Sequence, residues 1–461
     1  MKYILTFLCA LALNGASAQF SFQNINLLSN FDDPTVPAEP VYGIRYQSCW
    51  GWADPLTDRE YGIIGSSEGT YIIEVTDPGN PVQRDYIPGR SNQRIWHEYK
   101  TVGNYLYIIS DGGGNSLQIV DLTTLPDSGH VVYDGTNIFD SGHTLYVDGT
   151  HLYVASVSQT GGSYSSMNVY DVSSPATPVL LRRLDQDYPS ISQVHDMFVI
   201  NDTIFASCGY QGLYIFTYDE STNRFTQRGS LTNYTPGGSY NHSSFISNDR
   251  TTLYMMDEVP DGLPCKVVDV SDLSNPFVVD TFYSNAGCTP HNPYVKGNLL
   301  VNANYQDGVW IYDISNPQVP VFAGYFDTHP QNSPGTYPNP PYAGCWAAYT
   351  DLPSGTLLAS DMQLGLFCLD IGTITGLSTR PSLNPVRLFP NPAQDRLTIA
   401  LSESSTAGTY LLTDLQGREL MNGELNAATT TLDISRLNPG FYLVKTQLGG
   451  QVRSTRIQIT R

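Results

Sequence analysis

One short pattern recurs along the chain: an apolar run ending in an acidic residue, then Ser or Thr, a few residues, and a Pro that opens another apolar run. It reads IIEVTDPGNPV around Glu74, IVDLTTLP around Asp121, VYDVSSPATPV around Asp171, VVDVSDLSNPF around Asp269 and IYDISNPQVPV around Asp313, with weaker copies IFTYD at Asp219 and FCLDI at Asp370. Successive acidic positions lie 47, 50, 48, 50, 44 and 57 residues apart. A period of about 40–50 residues with several short strands per unit is the mark of propeller blades and not of helical solenoids. The third unit shows the four strands: TLYVDG, HLYVASV, SMNVYDV and PVLLRRLD, each short, rich in β-branched or aromatic residues, and bounded by turn formers. The acidic residue falls between the third and fourth strands, where Asp and Ser bond the turn's own N–H groups. These acidic positions therefore read as turn residues, not catalysts.

The seventh unit ends at Ile371 without a fourth strand, and Asn24–Asp32 (NINLLSNFD) resembles fourth strands such as VFAGYFD ending at Asp327. The N-terminal strand is thus expected to complete the last blade and remove two exposed sheet edges. The predicted fold class is all-β: a seven-bladed β-propeller over residues 19–373, a linker over 374–386, and a small immunoglobulin-like β-sandwich over 387–461. Composition agrees, with 40 Gly, 30 Pro and 31 Tyr against only 14% charged residues. A net charge of −20 excludes a nucleic-acid binder, which needs Lys and Arg for phosphates. Residues 19–380 hold 14 basic and 37 acidic side chains, whereas residues 381–461 hold 8 and 6, so the charge balance changes at the domain boundary.

Lys2, the ten-residue apolar run Ile4–Leu13 and Ala16-Ser17-Ala18 read as a signal peptide over residues 1–18. That run is too short to span a bilayer of about 30 Å, and no later segment is long enough, so no transmembrane segment is expected. Six cysteines remain after the signal: Cys49, Cys208, Cys265, Cys288, Cys345 and Cys368. An even number in an exported chain permits disulfides. The expected pairs are Cys49 with Cys345, because the first and last units meet at closure and each cysteine precedes a Trp, and Cys265 with Cys288.

The units VYDVSSPATPV and IYDISNPQVPV resemble LVIVD repeats, and their arrangement behind a signal peptide is similar to the bacterial choice-of-anchor B proteins over roughly residues 24–371. That resemblance implies a secreted or surface β-propeller and supplies no activity. The last 75 residues resemble the type A C-terminal sorting domain of the type IX (Por) secretion system of Bacteroidota. The matching residues are Phe389-Pro390-Asn391-Pro392, Asp414-Leu415-Gln416-Gly417-Arg418, Leu437-Asn438-Pro439-Gly440-Phe441-Tyr442 and the final RIQITR. The tail departs from the frequent adjacent lysines, carrying Arg453, Arg456 and Arg461 instead. The resemblance implies the Sec and type IX machineries as partners, then removal of the domain, with attachment to surface lipopolysaccharide or release outside a Bacteroidota-type cell.

Beyond the scaffold, His97, His143, His195, His242 and His291 sit before or at the first strand of successive units, 46, 52, 47 and 49 residues apart. The first strand of a blade is the innermost, so these rings converge on one channel mouth. Two readings stay open. Each His is a structural hydrogen-bonder between blades, or two or three adjacent ones bind a divalent metal such as zinc, with Glu98 and Asp196 beside them. Trp50, Trp96 and Trp346 suggest an aromatic patch at the same mouth for a sugar, peptide or cation. Asp257 and Glu258, with Asp261, are weak candidates for calcium, and His195 and His242 are the matching candidates for zinc. No G-x-S-x-G, H-E-x-x-H or EF-hand loop occurs. The sequence reads as a binding or scaffold propeller for an extracellular ligand; the alternative is a channel-centred metal-assisted hydrolase or lyase.

Overall fold

In the computed structural model of the chain, residues 20–460 are described apart from 92–94, 113, 331–336, 338–341, 376–385, 402–407, 415–417, 428 and 449–450. The signal-peptide expectation over residues 1–18, most of the linker and Gly417 lie outside the described residues. Between Phe22 and Asp370 the described residues form seven antiparallel sheets, six of four strands and one of five. Their innermost strands are Tyr46–Ala53, His97–Val102, Leu145–Asp148, Asp196–Ile200, Tyr240–Ile246, Asn292–Lys296 and Cys345–Tyr349, which we number as sheets one to seven. Each packs on the innermost strands before and after it, and that of sheet seven packs on that of sheet one, so the ring closes. The fold is a β-propeller. Its core lies between sheets: Tyr153, Met167 and Val169 of sheet three, for example, are buried against Ile204 and Phe216 of sheet four.

The recurring acidic residue is a turn former. The Oδ1 atoms of Asp171, Asp219, Asp269 and Asp313 accept the N–H of the residue two ahead at 2.8–2.9 Å. Hydrogen bonds from those serines hold all four carboxyls below the ordinary value. A β-bulge between the third and fourth strands recurs in every sheet, for example at Val169/Tyr170, Ile215/Phe216 and Ile311/Tyr312.

Closure uses the N-terminal segment. Asn26–Phe31 pairs antiparallel with Gly365–Asp370 as the outer strand of sheet seven, with the same bulge at Leu27/Ser29. Phe22–Gln23 adds a fifth strand to sheet six, pairing with Tyr325 and Phe326. One short segment therefore laces two neighbouring sheets. Between the two strands Ile25 is fully buried, in the same core cluster as Phe326, Phe367 and Ile371.

The cysteine expectation is corrected here, because all six are free, buried thiols. Cys49 and Cys345 do meet, but their sulfurs share the Ala347 carbonyl oxygen at 3.6 and 3.7 Å instead of bonding to each other. Cys265 Sγ accepts from Asn302 Nδ2 at 3.4 Å, whereas Cys288 Sγ donates to the Asn304 carbonyl at 2.9 Å, so each sulfur has its own partner. Burial pushes the Cys49 and Cys265 thiols up to about 12, which makes them inert packing groups.

The C-terminal domain is a sandwich of a three-stranded and a four-stranded sheet over Val386–Ile459, with a core that includes Leu397, Ile399, Leu412, Val444 and Ile457. Of the motif residues, Pro390–Pro392, Asp414 and Arg418 stand between strands, whereas Phe441 and Tyr442 lie in one. Pro390, Asn391 and Pro392 follow its first strand, and Asn391 Oδ1 accepts the Gln458 N–H at 2.8 Å. Asp414 accepts the Arg418 N–H at 2.9 Å, and Pro439-Gly440 opens the strand in which the Tyr442 hydroxyl donates back to the Asn438 carbonyl at 2.7 Å.

Ile25→Ala should lower propeller stability by about 2–5 kcal/mol, the usual cost of emptying a buried aliphatic site. Urea unfolding checks this; a loss below about 1 kcal/mol would show that ring closure does not rest on this segment.

Candidate functional site

A cavity of about 280 Å³ opens at one mouth of the channel. Its wall includes His143, His195, His242 and His291, which arrive from sheets three to six because each stands at the start of an innermost strand. The rings touch in sequence, with centroids 4.3 Å (His143–His195), 4.3 Å (His195–His242) and 4.4 Å (His242–His291) apart. Their Nδ1 atoms are committed to the backbone. His195 Nδ1 donates to the His242 carbonyl at 3.1 Å, His242 Nδ1 to the His291 carbonyl at 3.1 Å, and His291 Nδ1 to the Trp346 carbonyl at 2.6 Å. A carbonyl has no hydrogen to give, so each Nδ1 carries the proton and each neutral ring keeps its Nε2 lone pair. His143 differs: its Nδ1 lies 2.9 Å from Asp111 Oδ2 and its Nε2 lies 2.9 Å from His195 Nε2.

Burial lowers the pKa of His195, His242 and His291, with charge on neighbouring imidazoles adding to it and Glu258 partly offsetting it at His242. For His143 burial also opposes the charged form, but the hydrogen bond and charge of Asp111 outweigh it and raise the pKa. Burial, then the charge of Glu98, pushes Asp196 up to about 6 against the pull of Lys100. Burial likewise lowers Lys100, with Glu98 and Asp196 opposing the shift.

The aromatic side of the mouth is built from Trp96 stacked on Trp346, with centroids 4.8 Å apart and planes at 25°. Tyr42 and Tyr342 flank Trp96 at 6.0 and 5.5 Å. Trp346 Nε1 donates to Glu98 Oε1 at 3.1 Å. Trp96 has φ +67°, a left-handed conformation that a bulky residue adopts only where its surroundings enforce it.

Three residues beyond the histidines a second layer lines the channel. Tyr146, Phe198, Phe245, Tyr294 and Trp50 touch in order at 5.3, 4.3, 5.0 and 5.9 Å, and the Lys100 ammonium closes the circuit over Trp50 at 4.2 Å and Tyr146 at 5.8 Å. These six residues line both the mouth cavity and a second one of about 230 Å³ that also takes in Thr101, Val147, Val295 and Asp351.

Several expected site residues stand elsewhere. His97 leaves the cavity and bonds Gln47 Oε1 through Nδ1 at 2.8 Å. Trp50 does line the cavity, in the second layer beside Lys100, where it packs on Tyr349 at 4.7 Å. Asp257 is fully buried away from the cavity, with Lys266 Nζ at 2.5 Å and the Tyr234 hydroxyl at 2.6 Å. That geometry separates it from Glu258, which faces the cavity, and corrects the expectation that the two acids share calcium. The sequence reading missed Tyr305, Tyr42, Tyr342 and Lys100. Lys100 had a signal: positions three beyond each His hold Lys100, Tyr146, Phe198, Phe245 and Tyr294.

Residues 387–460 match the family described as secretion system C-terminal sorting domain, and residues 294–328 match the LVIVD repeat. The chain carries a secretion-system sorting domain. This sorting domain directs export through type IX secretion to the cell surface or the extracellular space. No helix among the described residues is long and apolar enough to cross a membrane. No curated protein matches the chain. Among solved structures, it is similar to PorZ, described as an essential bacterial surface component of the type IX secretion system of Porphyromonas gingivalis. The identity is 14% and the TM-score 0.45, covering 94% of this chain and 61% of PorZ. It is also similar to the periplasmic gluconolactonase PpgL of Pseudomonas aeruginosa, at 13% identity and a TM-score of 0.48, covering 84% and 99%. The chain spans less than two thirds of the length of PorZ.

His97, outside the cavity, gives a pH signature of its own burial. Burial lowers its pKa from 6.5 to about 4. The unfolded chain therefore takes up this proton first as pH falls, and the stability tied to neutral His97 is present above 6.5 and lost toward 4. Between pH 7 and pH 5 the loss from this residue is about 2 kcal/mol. A His97→Gln variant should lose that much less than the parent over the same interval in urea titrations; equal losses would contradict the assignment.

Proposed function

We propose that the exported protein is a binding propeller of a Bacteroidota-type cell surface, which captures an extracellular ligand at the histidine-lined mouth. The reading takes the Sec pathway as the first export step. After removal of the sorting domain, the propeller is held on surface lipopolysaccharide or released, as the sorting-domain resemblance implies. The observation that carries the binding role is the stacked pair Trp96–Trp346 beside an open cavity, with Trp96 held at φ +67°. A non-glycine residue in this region costs about 1–2 kcal/mol, and packing against Tyr42, Tyr342 and Trp346 holds Trp96 there at the cavity wall.

Charge narrows the ligand class. Glu98, Asp196 and Glu258 line the cavity against Lys100, and burial keeps His195, His242 and His291 neutral. An acid-rich pocket with tryptophan faces suits a cationic head or a sugar ring bearing an amino group. One observation favours the second reading, a metal-assisted hydrolase or lyase: His195, His242 and Glu258 converge on the same cavity.

Quenching of tryptophan fluorescence by a panel of amino sugars and quaternary ammonium compounds tests the binding role. Trp96→Ala should weaken a responding ligand roughly 5- to 30-fold, the equivalent of about 1–2 kcal/mol for a desolvated cation–π contact. Unchanged affinity in Trp96→Ala and Trp346→Ala, with both variants folded, would overturn it.

A further inference from the structure

We propose that His195, His242 and Glu258 form a binding site for one divalent transition-metal ion of the zinc class. The proposal does not depend on the aromatic wall and deepens only the description of the cavity floor. One ligand atom from each residue lies within 4.8 Å of the other two. Two ligands of one tetrahedral zinc at about 2.1 Å stand roughly 3.4 Å apart, so side-chain rotations of about 1 Å complete the site without backbone movement.

The ligands are prepared for a metal in three ways. First, His195 and His242 each spend Nδ1–H on a main-chain carbonyl, at 3.1 Å in both cases, which leaves the Nε2 lone pairs as donors. This is the outer partner that metal-bound imidazoles use to fix ring orientation and tautomer. Second, Glu258 is held from behind. Its Oε1 accepts the Tyr305 hydroxyl at 2.8 Å, and its Oε2 lies 4.0 Å from His242 Nε2. Tyr305 is itself fully buried, has φ +37° and stacks on His291 at 4.4 Å, so it is a fixed support. Third, the three residues stand on or beside the inner strands of sheets four and five, which are packed on both sides.

The donor set selects the ion. Two imidazole nitrogens and one carboxylate oxygen suit zinc and its neighbours, whereas calcium takes six to eight oxygens. Three protein ligands leave a position open toward the cavity, the arrangement of a zinc that meets an exogenous ligand. The lone pair of His195 faces His143 Nε2 at 2.9 Å, and metal uptake replaces that contact with a coordinate bond.

The test uses the exported chain, stripped with chelator and titrated with Co²⁺ and then Zn²⁺, read by the visible spectrum of bound Co²⁺ and by metal analysis after desalting. The expected result is one ion per chain, with Zn²⁺ displacing Co²⁺. His195→Ala and Glu258→Gln should each weaken uptake at least tenfold, and His97→Gln, outside the cavity, should leave it unchanged. Glu258→Gln retains an acceptor for Tyr305, so a matching circular dichroism spectrum separates lost ligation from lost folding. No stoichiometric ion, or uptake that survives both substitutions, overturns the site. That outcome leaves the aromatic-wall reading standing, because quenching by organic ligands tests that separately.

Discussion

Three hydrogen bonds organise the working end of this propeller: the Nδ1–H groups of His195, His242 and His291, each given to a main-chain carbonyl of the following sheet. Thr144 extends the series backward by donating to the His195 carbonyl at 2.9 Å. Five consecutive sheets are thereby tied at their inner strands, alongside further bonds such as that from Ser243 Oγ to the His291 carbonyl at 2.5 Å. The same bonds decide chemistry, because a ring that donates through Nδ1 has only Nε2 left to offer. A structural role and a ligand role are therefore two ends of one imidazole, not rival explanations.

The layer beneath makes that chemistry local. Five aromatic rings and Lys100 line the channel beneath the imidazoles and touch one another around it. Burial keeps three imidazoles neutral and raises Asp196, while the acids lining the cavity outnumber Lys100. A site of low dielectric with excess acid attracts cations more strongly than the same groups in water. The sorting domain decides where this happens, since it sends the propeller out of the cell.

Much of the architecture was legible because a blade is a local unit: four short strands and an Asp-centred turn recur at a fixed period, and the turn's hydrogen bond depends only on residues two apart. The histidines were legible for the same reason, as they ride the period. What failed was register. Gln47, not Cys49-Trp50, stands beside His97, and Trp50 falls in the layer of Lys100 and Tyr349, three residues along from the level of Trp346. Cys49 and Cys345 were read correctly as neighbours, but adjacency does not fix where sulfurs point, and both face one carbonyl. Tyr42 and Tyr342 lie outside the strands, and Tyr305 owes its role to φ +37° in a turn, so no strand periodicity marks them.

The central claim is the tautomer of the collar. Long-range ¹⁵N–¹H correlation spectra of histidine-labelled, metal-free protein at neutral pH read it directly. The account predicts that His195, His242 and His291 carry the proton on Nδ1, with Nε2 in the unprotonated chemical-shift range. Resonances showing the proton on Nε2 of these residues would contradict it, because the carbonyl handover and the free lone pairs would then both be absent.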